Sequence, residues 1–537
     1  MARALLIQPP LLLHGEFIDY PYFTGAGLWQ AAAGLRAAQH EVAVLDAFCL
    51  PTSSLMRERG DMVRLGVQWS TFSGYLPDAA PDVVVIANSP WQRSRPATAE
   101  LTRFVASLRT RWPGVPTVLA DCDVGGMHFI EWNAADLDEL GIEWGQKYEA
   151  DSALPALIAQ LTSGEHPEHR IVAGVPDGTL LDALPLPAYD LIDMDAFQGF
   201  LSRVARARHK EEIFDCSPPL LALKTSRGCV YQCNFCTSNP WQRAGLEGRN
   251  YRTYSGAALH AHLRLLKETY GVHRVVVLDE LVNVNERHLD GLLDALETLD
   301  MGVDFPNGMR ADRLTELQVQ RLSHRTKKLS VSAESATERI ANEVIGKKFD
   351  LEATRKVALW AKAAGLPMVV HWMIGQPDET RSEILHTLRT AWSLFEETGA
   401  RPLLQFATPI LGTALHTTVT ERGLWTQRED RDIGPLFQGQ PCYQDTRDGD
   451  AEGWTARALH VAKLAFETKL AAYKPRKIIM NTTYICNNQC VFCATGNRLP
   501  THGDVNEQLR FMQMRRDQGY DLIDFDGGEP TTNPMLF

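Results

Sequence analysis

Short apolar, β-branched runs alternate with longer stretches whose apolar positions recur three and four apart, and the alternation persists along most of the chain. In residues 1–165, ALLIQ, EVAVLDA, DVVVIAN and PTVLAD read as strands, while LWQAAAGLRAAQ, ATAELTRFVASLRTRW and SALPALIAQLTSG read as helices. Strands that are apolar throughout, separated by amphipathic helices, predict a parallel sheet covered on both faces, a doubly wound, Rossmann-like α/β domain. Ligands of such sheets bind beyond the carboxyl ends of the strands, here near NSP at Asn88 and DCDVGGMHF at Asp121.

The rhythm weakens over residues 166–217, where LLDALPLPAYDLIDMDAF is rich in proline and aspartate and reads as a connector wrapping one domain onto the next. It resumes over 218–420, where LLALKTS, RVVVLDE, GVDFPN, KLSVSAES, LPMVVHWMIG and PLLQFAT read as six strands with helices between them. This pattern predicts a partial (β/α)6 barrel with its active site at the carboxyl ends of the strands. One helix is well specified: Thr380 and Glu383 form a capping box, and Ile384, Leu388, Ala391, Trp392 and Phe395 make one apolar stripe. Residues 421–475 read as polar loops and a linker helix, and KIIMNTT opens a last unit over 476–537.

Composition narrows the function. The chain has 537 residues, 45% of them hydrophobic and 22% charged, a globular balance long enough for several domains. A net charge of −12 disfavours a nonspecific grip on nucleic acid, and no polybasic segment marks an anionic membrane. Pro9 and Pro10 break the apolar run at the start, and no stretch is long enough to span a bilayer. The expectation is a cytoplasmic protein acting on a small molecule or a peptide.

Six of the ten cysteines fall into two groups, CVYQCNFC with Cys229, Cys233 and Cys236, and CNNQCVFC with Cys486, Cys490 and Cys493. Both have the spacing C-x3-C-x2-C, and both follow a strand. Three thiolates on one loop can hold three irons of a 4Fe-4S cluster and leave the fourth iron open. Structural zinc is the alternative, but it takes four protein ligands, and neither group has an adjacent fourth Cys or His.

With Phe235 and Phe492 in the aromatic slot, both groups resemble the C-x3-C-x-aromatic-C signature of the radical S-adenosylmethionine (radical SAM) enzymes. The resemblance implies that the open iron chelates SAM and that the reduced cluster cleaves it to methionine and a 5′-deoxyadenosyl radical. It further implies SAM contacts at Asp279 and Glu280 after the second barrel strand, at Arg310 and Glu334 on later strands, and at Gly375 near the adenine. A zwitterionic ligand needs a carboxylate for its ammonium and a cation for its carboxylate, and these residues supply both. His371, in VVHWMIG, either faces substrate or is a core histidine with a satisfied hydrogen bond.

A doubly wound domain ahead of such a barrel resembles the cobalamin-binding domain of the class B radical SAM enzymes, with QPP after the first strand and the link through LDALPLPAYDLID. Cobalamin is therefore an expected cofactor, although DxHxxG is absent and KYEAD stands where the family often has GExE. Gly125 and Gly126 could let backbone approach a large ring. The leading reaction is methyl transfer to an unactivated carbon, with flavodoxin or ferredoxin as reductant. A non-methylating radical cyclase or rearrangement enzyme, and a metal-stabilised binding or electron-carrier protein, are the rivals.

The stretch YDLIDFDGGEP resembles the second strand and the GGEP turn of another radical SAM unit, in which Gly527, Gly528, Glu529 and Pro530 would meet the SAM ammonium. With one helix and two strands it cannot close a barrel, so an incomplete unit with an exposed apolar face is expected.

Overall fold

The computed structural model describes residues 1–14, 25–60, 62–88, 95–122, 131–174, 181–208, 218–238, 251–426, 440–446, 452–473, 477–487, 500–518, 520 and 522–534. The chain divides into two compact units, Met1–Val461 and Ala462–Phe537.

In the first unit, strand β1 (Arg3–Gln8) is followed by β2 (Leu11–His14), β3 (Glu41–Asp46), β4 (Ser54–Arg57), β5 (Met62–Gly66), β6 (Val83–Ala87), β7 (Thr117–Ala120), β8 (Trp144–Lys147) and β9 (Ile171–Ala173). Six of these form one parallel sheet in the order β3-β1-β6-β7-β8-β9. The order reverses between β1 and β6, which puts the switch point of a doubly wound sheet there. Val83 to Ala87 are all buried, as a strand covered on both faces requires. Helices Ala26–Ala37 and Ala150–Ser163 cross closely at Gly34, where a Cβ would stand 2.1 Å from the Asp151 carbonyl oxygen.

Two features of this domain differ from the sequence reading. β2, β5 and β4 build a small antiparallel sheet, and the main sheet gains β8 and then β9, the latter beyond residue 165. Beyond β9 the connector behaves as its composition suggests. Trp29 packs edge-on against Tyr189 and Phe197, and Phe48 stacks on Phe200, so the connector helix Met194–Arg208 covers the first domain. The Tyr189 hydroxyl also meets His262 Nε2 at 2.9 Å, on the first barrel helix Gly256–Tyr270.

All six expected barrel strands are present: β10 (Leu220–Leu223), β13 (Arg274–Val277), β14 (Gly302–Asp304), β15 (Leu329–Glu334), β16 (Met368–Ile374) and β17 (Arg401–Phe406), with a short antiparallel ribbon of β11 (Ser226–Gly228) and β12 (Tyr251–Thr253) at the mouth. The wall consists of two parallel three-stranded ladders, β10-β13-β14 and β15-β16-β17, joined by a bridge between Met309 and Val331. The Thr380–Glu383 capping box is present, and Ile384, Leu388 and Ala391 are buried. Leu394 completes that face, whereas Trp392 and Phe395 are half-buried, because the stripe drifts around the helix.

The second unit pairs β18 (Lys477–Thr483) in parallel with β19 (Leu522–Gly527). Its helix Val505–Asp517 has no buried residue, and Ile479 and Phe525 on the strands are 64% and 42% exposed. Among the described residues no helix is long and apolar enough to cross a membrane.

Candidate active site at the barrel mouth

β10 delivers the chain to the mouth, β11 turns it, and Cys229, Cys233 and Cys236 follow on one loop. All three cysteines, with Phe235 between them, line a single cavity at the carboxyl ends of the barrel strands. Burial pushes the Cys229 and Cys233 thiols up to about 12, and raises Cys236 against the hydrogen bond from Ser238. Lys347, the nearest cation, pulls Cys233 back part of the way. Among the described residues no three His, Cys, Asp or Glu side chains close on a single ion. A four-iron cluster takes one thiolate per iron, which three cysteines along one wall can supply, whereas structural zinc takes four protein ligands.

The loop is held from beneath by residues that reach no ligand. The Asp279 carboxylate is buried and accepts hydrogen bonds from Thr225 N (2.6 Å), Thr225 Oγ1 (2.5 Å) and Ser226 Oγ (2.6 Å). Burial alone would raise its pKa, but nearby His288, 3.9 Å away, and the Ser226 and Thr225 hydrogen bonds hold it below the usual carboxylate range. Asn234, inside the cysteine loop, donates to Gln376 Oε1 at 3.0 Å, and its backbone N–H donates to Ile345 O at 2.8 Å.

The expected SAM contacts separate into two sets. Glu280 lines the cavity, where its carboxylate accepts from Lys224 Nζ and from Gly228 N, each at 3.2 Å. Glu334 also lines it, in a left-handed backbone conformation (φ +66°) that turns its carboxylate onto Lys347 Nζ at 2.9 Å. Arg310 reaches the wall with its guanidinium already engaged: it donates to both oxygens of Asp312 and to the carbonyls of Lys347 and Lys348, and it stacks 3.8 Å from the Tyr231 ring centroid. Its role here is to fix the Lys347 segment. Asp279 and Gly375 stand outside the cavity lining. Gly375, at φ +87°, donates its N–H to Glu379 Oε2 at 2.7 Å and accepts from the Tyr443 hydroxyl.

Lys347 is the residue that sequence reasoning missed. It is 5% exposed and lines the cavity between Glu334 and Cys233. Its only signal in the chain is the pair Lys347–Lys348 after Gly346, which reads as an ordinary solvated turn. His371 lines the cavity while its ring nitrogens meet Ser330 Oγ at 2.9 Å and Gln405 Nε2 at 3.4 Å, and burial lowers its pKa, so its hydrogen bonds are satisfied as the core reading has it.

Residues 223–391 match the radical SAM superfamily profile. The chain carries a radical SAM domain. The radical SAM match begins at the end of β10, takes in the cysteine loop and runs past β16 into the helix Arg381–Thr398, while the cavity also takes Gln405 and Phe406 from β17 beyond it. An uncharacterised methyltransferase of Pyrococcus horikoshii is 26% identical over 237 residues, which cover 44% of this chain and 46% of that protein. The chain therefore spans about half the length of that relative. The cytidylyl-2-hydroxyethylphosphonate methyltransferase of Streptomyces wedmorensis is 22% identical across 77% of this chain and 80% of its own. Among solved structures, the radical SAM methyltransferase TsrM from Kitasatospora setae, with tryptophan and a SAM analogue bound, superposes with a TM-score of 0.55 at 16% identity, over 80% of this chain and 78% of that one. TsrM has also been solved with cobalamin and a [4Fe-4S] cluster.

Gly528 N donates to Thr483 O at 2.8 Å and Glu529 N to Ile485 O at 2.9 Å, so the GGEP turn docks on the base of the second cysteine loop. Both glycines are needed for this approach: a Cβ on Gly527 would lie 2.1 Å from Thr483 O, and one on Gly528 2.2 Å from Ile485 O. Glu529 is half-buried, its Oε1 accepting from Thr531 N and Oγ1, and Pro530 begins the following turn. Cys486 is half-buried; Cys490, Phe492 and Cys493, like Gly125 and Gly126, lie outside the described residues.

Proposed function

We propose that this chain is a cobalamin-dependent radical SAM methyltransferase acting on an unactivated carbon of a small molecule or peptide. The observation that carries the reading is that Cys229, Cys233 and Cys236 share one cavity wall with an anion, Glu280, and a cation, Lys347. A 4Fe-4S cluster held by the three thiols would supply the electron that splits SAM, and cobalamin would supply a methyl carrier. Glu280 is placed to receive the SAM ammonium and Lys347 its carboxylate. The apolar wall of Tyr231, Phe235, Leu281 and Phe406 excludes water from the reacting centre, and neutral His371 with Gln405 offers hydrogen bonds to a bound acceptor.

The place for cobalamin is supported by how the two domains of the first unit meet. The carboxyl end of β7 carries Asp121, which accepts from Asn88 Nδ2 (2.7 Å) and Trp132 Nε1 (3.0 Å), and Glu131, the residue before Trp132, donates its N–H to Leu411 O at 3.5 Å. Leu411 adjoins Ile410 on the cavity wall, so the sheet edge that binds ligands in doubly wound folds borders the barrel mouth. Cobalamin seated on that edge would adjoin the SAM site. The relatives named methyltransferases support the same reaction type, and a flavodoxin or ferredoxin is the proposed reductant.

The test is anaerobic reconstitution followed by metal analysis, binding of hydroxocobalamin by absorbance, and 5′-deoxyadenosine formation from SAM under reduction. Iron at the first cysteine group, bound cobalamin and SAM cleavage are expected. Zinc in place of iron would remove the radical reading, and iron without cobalamin would leave a non-methylating radical enzyme.

A further inference from the structure

Arg227 stands two residues ahead of Cys229 and is 1% exposed. Its partner across the β11–β12 ribbon is Arg252, so two arginines face each other directly, an arrangement that repels unless anions lie between them. The anions come from the other domain. Arg227 donates through Nη1 to Glu149 Oε2 and through Nη2 to Asp151 Oδ2 at 2.6 Å, and Arg252 donates to Glu149 Oε1. All four side chains are at most 12% exposed, and their charges cancel. Glu149 and Tyr148 both adopt left-handed backbone (φ +43° and +58°), which non-glycine residues rarely do, at the turn between β8 and the helix that begins at Ala150.

A buried ion network contributes little to stability beyond what apolar packing would, but a forked guanidinium fixes direction and register. This one joins the carboxyl edge of the first sheet to the strand that leads into the cysteine loop. Resting on the function proposed above, we propose that Arg227 is a positioning residue: its fork on Glu149 and Asp151 sets the spacing between the cysteine loop and the sheet edge, and hence between cluster and cobalamin.

The test uses the full chain with Arg227→Lys, which keeps the charge and loses the fork, Arg227→Met, and Glu149→Gln. Hydrogen exchange on the cofactor-free protein reads the brace by itself. At least tenfold faster exchange is expected in Arg227→Met over 144–151 and 225–238, with β16 and β17 unchanged; unchanged exchange in all three variants overturns the proposal. In the loaded protein, pulsed EPR between the reduced cluster and cob(II)alamin is expected to give one narrow distance in the wild type and a broadened or displaced one in Arg227→Lys, at unchanged iron content. An identical distance in Arg227→Lys and Glu149→Gln also overturns it. If the wild type binds no cob(II)alamin while exchange still rises in the variants, the cobalamin reading fails and the brace on the cysteine loop stands.

Discussion

Replacing Asp279 by asparagine separates the support of the cysteine loop from its chemistry. The carboxylate takes Thr225 N on one oxygen and the hydroxyls of Thr225 and Ser226 on the other, with His288 Nε2 3.9 Å away. An amide keeps one acceptor for Thr225 N and turns its NH2 to the two hydroxyls, which must rotate to accept, so all three bonds lose their charge assistance. At about 1.5–3 kcal/mol for each hydrogen bond to a charged group, the expected loss is about 3 kcal/mol. With a urea dependence of about 2–3 kcal/mol per molar, the unfolding midpoint of the barrel falls by about 1 M. The pH dependence has a defined sign. Because the folded-state pKa of Asp279 is lowered, its contribution is complete above the ordinary aspartate range and is lost as pH falls through the lower folded value, a slope the variant lacks. Glu280→Gln is the control, since Glu280 is on the cavity wall: its midpoint is expected to move little, while SAM affinity, measured by equilibrium binding to the reconstituted protein, drops about tenfold, worth about 1.4 kcal/mol. Should Asp279→Asn weaken SAM binding at an unchanged midpoint, the division between support and site is wrong.

Other expectations follow from the same geometry. Lys347→Met should weaken SAM binding at least tenfold in equilibrium dialysis, whereas Arg310→Lys should act mainly on stability, because the Arg310 donors are spent on Asp312 and two carbonyls. Gly34→Ala should destabilise the first domain by about 1–3 kcal/mol in urea unfolding, since the clash with the Asp151 carbonyl outweighs a helix-propensity gain of about 1 kcal/mol. Burial pushes Glu379 up to about 8 against the backbone hydrogen bonds of Gln376 and Gly375. The folded chain then holds a proton that the unfolded chain has lost, so stability declines as pH rises from the ordinary glutamate range to about 8, and Glu379→Gln should flatten that decline in melts taken between pH 5 and 8.5.

The six barrel strands were legible because each is a compact apolar run, and the cysteine loop because thiol spacing is carried by the sequence itself. The strand β8 was not, because its residues WGQK show no apolar run; Gln146 is nonetheless fully buried, its amide donating to the Lys147 and Tyr148 carbonyls. Lys347 was hidden for a related reason: its partner Glu334 lies 13 positions away on another element, and only folding brings the two charges together. The Asp279–Glu280 pair shows a further limit. Adjacent acids after a strand point to opposite sides, and the sequence alone does not say which side is the cavity.

The two-ladder wall of the barrel has a mechanical consequence. A sheet hydrogen-bonded all the way round shares any load among its strands, but here the ladders meet through a bridge at Met309–Val331, beside Gly308, where a Cβ would stand 2.9 Å from Ser332 Oγ. Two backbone bonds, Met309 N to Ser330 O and Ser332 N to Met309 O, carry that seam. Asn307 and Ser332 flank it and both face the cavity. The thiol loop spans that seam: β10 and β11 feed it from the first ladder, while Asn234 within it is bonded to Ile345 O and Gln376 Oε1 beyond the strands of the second, so the loop itself laces the two half-walls together.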